Sequence, residues 1–589
     1  MILQALNRCY EDLARDGKIA RPGWAKAKIS YALCINDNGE LEQVVPLLTD
    51  TGKKKPSPRE FDLPAPVKRT VGIASNFLWD NSAYLLGVDN KGKPERSADC
   101  FQACGRFHHQ LLDGADCPGA KALLRFFDAW IPAQASEHPA LQGEFESVIT
   151  GANLIFRVNG AFPHEDEAIQ EAWQNYYSLD EGEKRQCLIT GRKDVIAAVH
   201  PSIKGVQGAQ SSGAALVSFN APAFCSYGKE QNFNAPVGKS AAFAYTAALN
   251  YLIADREHVQ KIGDATVVCW AEGAEPQYQG FSMAALFGGP PPEGFTDNDL
   301  YSAVKRLADG LPCEELNLDP NRPFYILGVS PNAARLSVRF FYRDTFGRIM
   351  RNVNEHHQRM EIVRPSFDKF ETIPLWKMLQ ETVNMNARDK SASPAMAGAT
   401  ARAIFSGTPY PASLLENVML RIHAEREITR GRAAILKAYY LRNPNKGCPE
   451  EVLTVALNEE SKNEAYALGR LFSLYEDVQL TANPGIKATI KDKYFNSAST
   501  TPGAVFPTLD SLCQKHLRKL EPGMQYKHRG WYEKQILRVA DILGETYPIR
   551  LSLPQQGAFD LGYYHQTQAR YTGKSNGGKA DSVEPSGNQ

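Results

Sequence analysis

The stretch Gly205-Val206-Gln207-Gly208-Ala209-Gln210-Ser211-Ser212-Gly213 holds three glycines in nine residues, with two Gln, two Ser and no charge. It runs through Leu216-Val217-Ser218-Phe219-Asn220 into a second polar loop, Ser226-Tyr227-Gly228-Lys229-Glu230-Gln231-Asn232-Phe233-Asn234. Glycine reaches φ > 0 at little cost and lets another molecule approach the backbone closely. Amide and hydroxyl side chains both donate and accept, which suits base edges and sugars better than bulk phosphate. The apolar run 216–219 predicts a buried strand rising from the first loop, and residues 241–254 predict a helix after the second. Residue types alone fit a pair of self-capping turns equally well.

Outward from this centre, the N-terminal half mixes both periods. Ile2, Leu6, Cys9, Tyr10 and Leu13 mark an amphipathic helix over residues 2–15. Residues 28–35 and 41–48 read as a hairpin about Asn36-Asp37-Asn38-Gly39. A Lys/Pro loop at 51–60 (Lys53, Lys54, Lys55, Arg59) is either a solvated charge run or a phosphate contact. Residues 76–88 read as a polar turn entering an apolar strand at Tyr84, Leu85 and Leu86. Helices are expected at 98–112, 120–129 and 165–177, with a strand at 152–159. The continuous apolar runs 265–271 and 324–329 suit inner strands. A strand over 335–343 puts Arg335, Arg339 and Arg343 on one face. With Arg348, Arg351, Arg359 and Arg364 it forms the densest arginine region, a solvated edge or a contact for RNA or another subunit.

Near residue 375 the texture changes. Helical stretches (414–425, 428–441, 450–457, 461–479, 486–494, 508–519, 531–543) follow one another between Gly, Pro and Asn punctuation. The expected fold is therefore α+β: a large mixed α/β N-terminal region over 1–400, then an all-α helical bundle over 401–570. The boundary is expected in the Ala/Ser/Gly-rich stretch 391–400, and the Gly/Ser/Lys/Asn-rich residues 571–589 read as a disordered tail. Residues 484–540 carry ten Lys/Arg against four Asp/Glu, a local excess of six.

Composition narrows the function. At 589 residues the chain exceeds what one core usually supports. Its 66 basic and 66 acidic residues cancel, which argues against a freestanding polyanion binder while leaving room for a local basic groove. Asn, Arg, Glu and Asp interrupt residues 2–13, so a secretory leader is not expected, and no apolar run reaches membrane-spanning length. Eleven scattered cysteines suit reduced thiols in a cytoplasm.

Catalytic signatures are not evident. Gly238-Lys239-Ser240 resembles the end of a phosphate-binding loop, but Phe233 stands where that motif needs its first glycine. Cys100, Cys104 and His108 fall four apart, one stripe on a helix, matching no compact zinc pattern. Two buried thiols beside a partly exposed His is the plainer reading; a metal-dependent enzyme built on the stripe is the alternative. No cofactor is expected.

Three segments carry a family likeness: Met1-Ile2-Leu3-Gln4-Ala5-Leu6, Asn76-Phe77-Leu78-Trp79-Asp80-Asn81-Ser82-Ala83-Tyr84-Leu85-Leu86-Gly87, and the block 205–234. Through them most of the chain resembles the large subunit of the type I-C CRISPR surveillance complex, Cascade. The resemblance implies a non-catalytic cytoplasmic subunit that recognises the protospacer-adjacent motif (PAM) in duplex DNA and promotes strand opening and R-loop formation. It implies further that the subunit stabilises the displaced strand and helps recruit a separate helicase-nuclease. The implied partners are crRNA, target double-stranded DNA, and the crRNA-backbone, handle-binding and small subunits; no membrane is involved. In such systems the protein reads a short duplex motif and guide pairing reads the rest. On this basis two loops are expected to read the duplex: Ser75, Asn76 and Asn81, then Gln207, Gln210, Ser211 and Ser212 with Asn220, Lys229, Gln231, Asn232 and Asn234. The C-terminal helices resemble the small subunit. Their basic face (Lys487, Lys491, Lys493, Lys515, Arg518, Lys519, Lys527, Arg529) is expected to hold single-stranded backbone.

Overall fold

The computed structural model describes residues 1–49, 57–67, 69, 72–178, 182–388, 390–520 and 529–576. It contains 49% helix and 15% strand, with mixed sheets toward the N-terminus and helices toward the C-terminus, which is the expected α+β class. Two compact units form: residues 1–201 with 217–249, and residues 202–216 with 250–589. Residue 400, the expected boundary, falls inside the helix Pro394–Ser406, where Met396, Ala397, Ala401, Ile404 and Phe405 are buried. The Ala-rich texture there encodes a close-packed helix, started by Pro394 and ended by Gly407 at φ +64.

The first unit is built on a four-stranded sheet in the order Leu41–Pro46, Tyr31–Ile35, Asn153–Val158, Trp79–Asn81. The two central strands run parallel and the outer pairings are antiparallel. The expected hairpin forms. Asn36 Oδ1 accepts from the N–H groups of Asn38 (3.0 Å) and Glu40 (3.1 Å), and Gly39 sits at φ +80. A Cβ on Gly39 would lie 2.4 Å from the backbone N of Phe126, so turn and helix meet too closely for a side chain. The helices Pro94–Leu112 and Pro118–Ala129 bring Phe101, Leu112, Leu123, Phe126 and Phe127 into a core with Leu33, Phe77, Phe156 and Trp173. Trp24–Ile29, Ser57–Pro64 and Leu48–Thr49 form a separate three-stranded sheet. Residues 84–86, expected as a strand, lie in or at the end of the helix Ser82–Leu85, because Asn81 caps it.

The second unit opens on an antiparallel sheet, Gln260–Ile262, Ala265–Ala271, Pro323–Asn332, Arg335–Thr345. The 265–271 and 324–329 runs are inner strands, as expected. Between Val329↔Val338 and Gly328↔Phe340 the register slips, leaving Arg339 as the extra residue of a β-bulge. The slip reverses the alternation, so Arg335 and Arg343 face opposite sides and the single arginine face does not form. Arg339 instead pairs with Asp264, and Arg343 lies 5.6 Å over the Tyr325 ring.

Helices follow, among them Ala412–Glu425, Arg430–Arg442, Glu464–Ala482, Ile490–Thr500, Pro502–Leu517, Arg529–Ala540 and Leu553–Asn576. The helix expected at 450–457 is only a 3-10 turn, Glu450–Val452. Helices Glu464–Ala482 and Leu553–Asn576 touch backbone to backbone: Cβ atoms on Gly469 and Gly562 would lie 1.9 Å from Phe559 O and 2.2 Å from Tyr466 O. The tail expected from 571 begins as the end of that last helix, and residues 577–589 lie outside the described residues.

Candidate nucleic-acid interface

The first glutamine loop is tied by its backbone at its base and again at Gln207. At its start Ile203 bridges Ala214, and Ala215 bonds the strand edge through Ala334 O (3.0 Å) and Leu336 N–H (2.9 Å). At its centre the Gln207 N–H donates to Thr266 Oγ1 at 3.0 Å, and the Val206 side chain is buried. Gly205, Gly208 and Gly213 all take φ between +79 and +90, the left-handed region that the glycine spacing suggested. Residues 216–219 are irregular and half-buried rather than a strand, since the pairing is already made by Ala214 and Ala215.

This geometry leaves the side chains of Gln207, Gln210, Ser211 and Ser212 exposed. Beside them lies a groove of about 550 Å³, whose lining includes Gln207, Gln210, Ser211, Arg256, Gln260 and Lys261. Arg256 Nη1 reaches Gly205 O at 3.5 Å, and Lys261 is exposed. The cationic wall was missed in the sequence. Its residues stand some fifty positions downstream, in a segment whose mixed charges (Asp255, Arg256, Glu257) resemble any solvated turn.

The second loop belongs to the first unit and is braced by one amide. Asn234 Oδ1 accepts from the Ser226 N–H (2.8 Å), while Asn234 Nδ2 donates to Lys229 O (3.0 Å) and Gln231 O (2.9 Å). Asn232 is buried, with its N–H on Ala198 O at 3.3 Å. Asn220 and Gln231 are exposed and Lys229 is half-buried. Asn234 and Asn232 are thus turn-holders; Asn220, Lys229 and Gln231 retain surface.

Ser75, Asn76 and Asn81 form a knot rather than an open surface. Asn76 is only 4% exposed; its Oδ1 accepts from the Val67 N–H (3.0 Å) and its own N–H donates to Asp80 Oδ2 (3.0 Å). Buried Ser75 Oγ donates to Asn76 O at 2.7 Å. Asn81 Oδ1 accepts from the Ala83 N–H at 3.1 Å as a helix cap. The Arg69 guanidinium forks onto the Asp80 carboxylate and stacks 4.0 Å over the Tyr84 ring. Ser75 and Asn76 are buried behind these bonds, while Asn81 is half-buried with its Oδ1 committed to the cap.

On the helical surface Lys487, Lys493, Lys515, Arg518 and Lys519 are exposed, with Lys519 Nζ donating to Asn483 Oδ1 at 3.0 Å. Lys491 is half-buried over the Tyr563 ring at 5.3 Å, and Arg529 pairs with Glu533 at 2.8 Å. Lys527 lies outside the described residues, as do Lys53, Lys54 and Lys55.

The Cys100/Cys104/His108 stripe is buried throughout, His108 included. His108 Nε2 accepts from the Leu78 N–H at 2.9 Å and Nδ1 meets Cys104 O at 2.8 Å, so neither ring nitrogen has a lone pair to offer a metal. Desolvation lowers the His108 pKa to about 4 and raises that of the Cys104 thiol. Among the described residues no group of three or more His, Cys, Asp or Glu is arranged to hold a metal ion. At the Gly238-Lys239-Ser240 segment the Asp194 carboxylate accepts from Ser240 Oγ at 2.5 Å, and a Cβ on Gly238 would meet Asp194 Oδ2 at 2.1 Å. A carboxylate occupies the place where a phosphate would have to sit.

Comparison with known proteins supplies the class. Residues 6–571 match the family described as CRISPR-associated protein (Cas_Csd1), and the chain belongs to that family. It is therefore a Cascade-type CRISPR effector subunit, a component of a complex with other Cas subunits and crRNA. No curated protein matches the chain. Among the described residues no helix is long and apolar enough to cross a membrane.

Proposed function

We propose that this chain is the large subunit of a type I-C complex, recognises the PAM in duplex DNA, promotes strand opening and R-loop formation, and catalyses no reaction itself. It stabilises the displaced strand along the exposed Lys487, Lys493, Lys515, Arg518 and Lys519, and helps recruit a helicase-nuclease. The observation that carries this reading is the 550 Å³ groove, which exposed amides of a glycine-framed loop line together with two cations. In the minor groove A·T pairs offer only acceptors, N3 and O2, which Gln207 and Gln210 can meet as donors. Arg256 and Lys261 would hold the flanking phosphates and fix the register without reading sequence.

The division of labour is testable through salt. In the assembled crRNA complex, Arg256→Ala and Lys261→Ala should each weaken target binding about equally for correct and scrambled motifs. Each should also make the slope of log K against log[salt] shallower by about one. An unchanged slope for both variants would place the phosphate contacts elsewhere and remove the groove from the reading.

A further inference from the structure

Tyr227 is the most exposed of the large apolar side chains among the described residues, at 97%. It also sits at φ +53, followed by Gly228 at φ +66, with the Lys229 N–H on Ser226 O at 3.0 Å. Two successive left-handed residues closed by that bond are the signature of a type I′ turn. Such a turn favours Asn, Asp or Gly at its first central position, and an aromatic residue there is an outlier. Packing does not explain it, because a ring this exposed gains no burial to offset the conformational cost. Both ends of the turn are tied to Asn234, which accepts from the Ser226 N–H and donates to Lys229 O, so the ring projects from a braced base. Strain retained without a packing return points to function.

We propose that Tyr227 is a stacking platform for an unpaired nucleobase, a contact separate from the amide groove and resting on the nucleic-acid reading of this chain. A base needs only a π-face, and such stacking tolerates any sequence. A protein hot spot needs neighbours that seal the ring from water. The residues flanking Tyr227 in the turn, Ser226, Gly228 and Lys229, are polar or lack a side chain. The opened duplex offers unpaired bases on both strands, and crRNA offers them as well.

The test uses the assembled complex and target duplexes carrying 2-aminopurine singly at each position from the flanking motif into the first opened bases, with a matching scan of the crRNA. One position should be quenched in wild type and in Tyr227→Phe, and bright in Tyr227→Ala and Tyr227→Asn. Target affinity should fall about tenfold in the last two. Tyr227→Asn suits the type I′ turn better than tyrosine, so its loss cannot be blamed on misfolding. Quenching in the DNA scan or in the crRNA scan supports stacking and identifies the strand. Quenching and affinity unchanged in all variants overturn the proposal, as does a Tyr227→Ala complex that has lost a protein subunit, which would make the ring a protein contact. Motif discrimination in Gln207→Ala and Gln210→Ala, measured in the same experiment, separates the two claims. If it is lost there while Tyr227 variants behave as wild type, only the stacking inference fails. If wild type itself shows no preference among motifs, the duplex-reading proposal fails.

Discussion

An amide side chain holds a fold or faces outward according to neighbours that its own position does not reveal. Asn76 and Gln210 look alike in sequence, each in a polar turn beside serine. Folding buries Asn76 under the Val67 N–H and leaves Gln210 exposed. Asn76→Ala removes a buried amide that ties down the Val67 N–H, and should destabilise the protein by about 1 kcal/mol. Gln210→Ala should stay within about 0.5 kcal/mol of wild type. Thermal melts of the two variants check both figures, and equal melting points would contradict the assignment. The composition of the site was therefore legible while its sorting was not. Asn81 and Asn234 cap or brace turns, as amides in loops commonly do. Arg256 and Lys261 reach the groove only through tertiary folding.

Elements with a sustained period were found from sequence, and those that depend on a single competing bond were not. The helices Pro94–Leu112 and Glu464–Ala482 and the inner strand Ala265–Ala271 carry long patterns and formed as expected. The strand expected at 84–86 gave way to a cap from Asn81, and the arginine face gave way to a one-residue bulge. Close helix contact is a further property that glycine marks only in context. Gly→Ala inside a helix ordinarily gains about 1 kcal/mol. At Gly469 the new methyl would strike Phe559 O, and at Gly562 it would strike Tyr466 O, backbone atoms that no rotamer change can move. Gly469→Ala and Gly562→Ala should each destabilise by about 1–3 kcal/mol or more. Gly544→Ala, with nothing within 4 Å, should be neutral. Urea unfolding compares the three, and a neutral Gly469→Ala would show that the helices do not pack this closely.

Both units of the molecule carry buried neutral histidines, so acid should weaken both. Burial lowers the pKa of His108 and His200 in the first unit, and of His565 in the second, to about 4. An unfolded histidine titrates near 6.5, so below that pH the unfolded chain binds more protons than the folded one. The contribution of these groups is complete above about pH 6.5 and falls away as the pH drops toward 4. Melting temperatures measured across that window should decline, and a flat profile would mean that these rings are not held neutral. At this scale the sequence conveyed the α+β class and the change of texture toward helices. It did not convey the division into units, because the Ala-rich segment around residue 400 has the composition of a linker and the packing of a core helix. The central claim is that the Gly205–Gly213 loop reads DNA sequence. The direct measurement is equilibrium binding of the assembled crRNA complex to target duplexes with varied flanking motifs, for wild type, Gln207→Ala and Gln210→Ala. Lost base contacts should cut the preference for the correct motif about 5- to 150-fold in at least one variant, chiefly by weakening the correct target. Full discrimination in both variants would contradict the account and leave the loop as a structural turn.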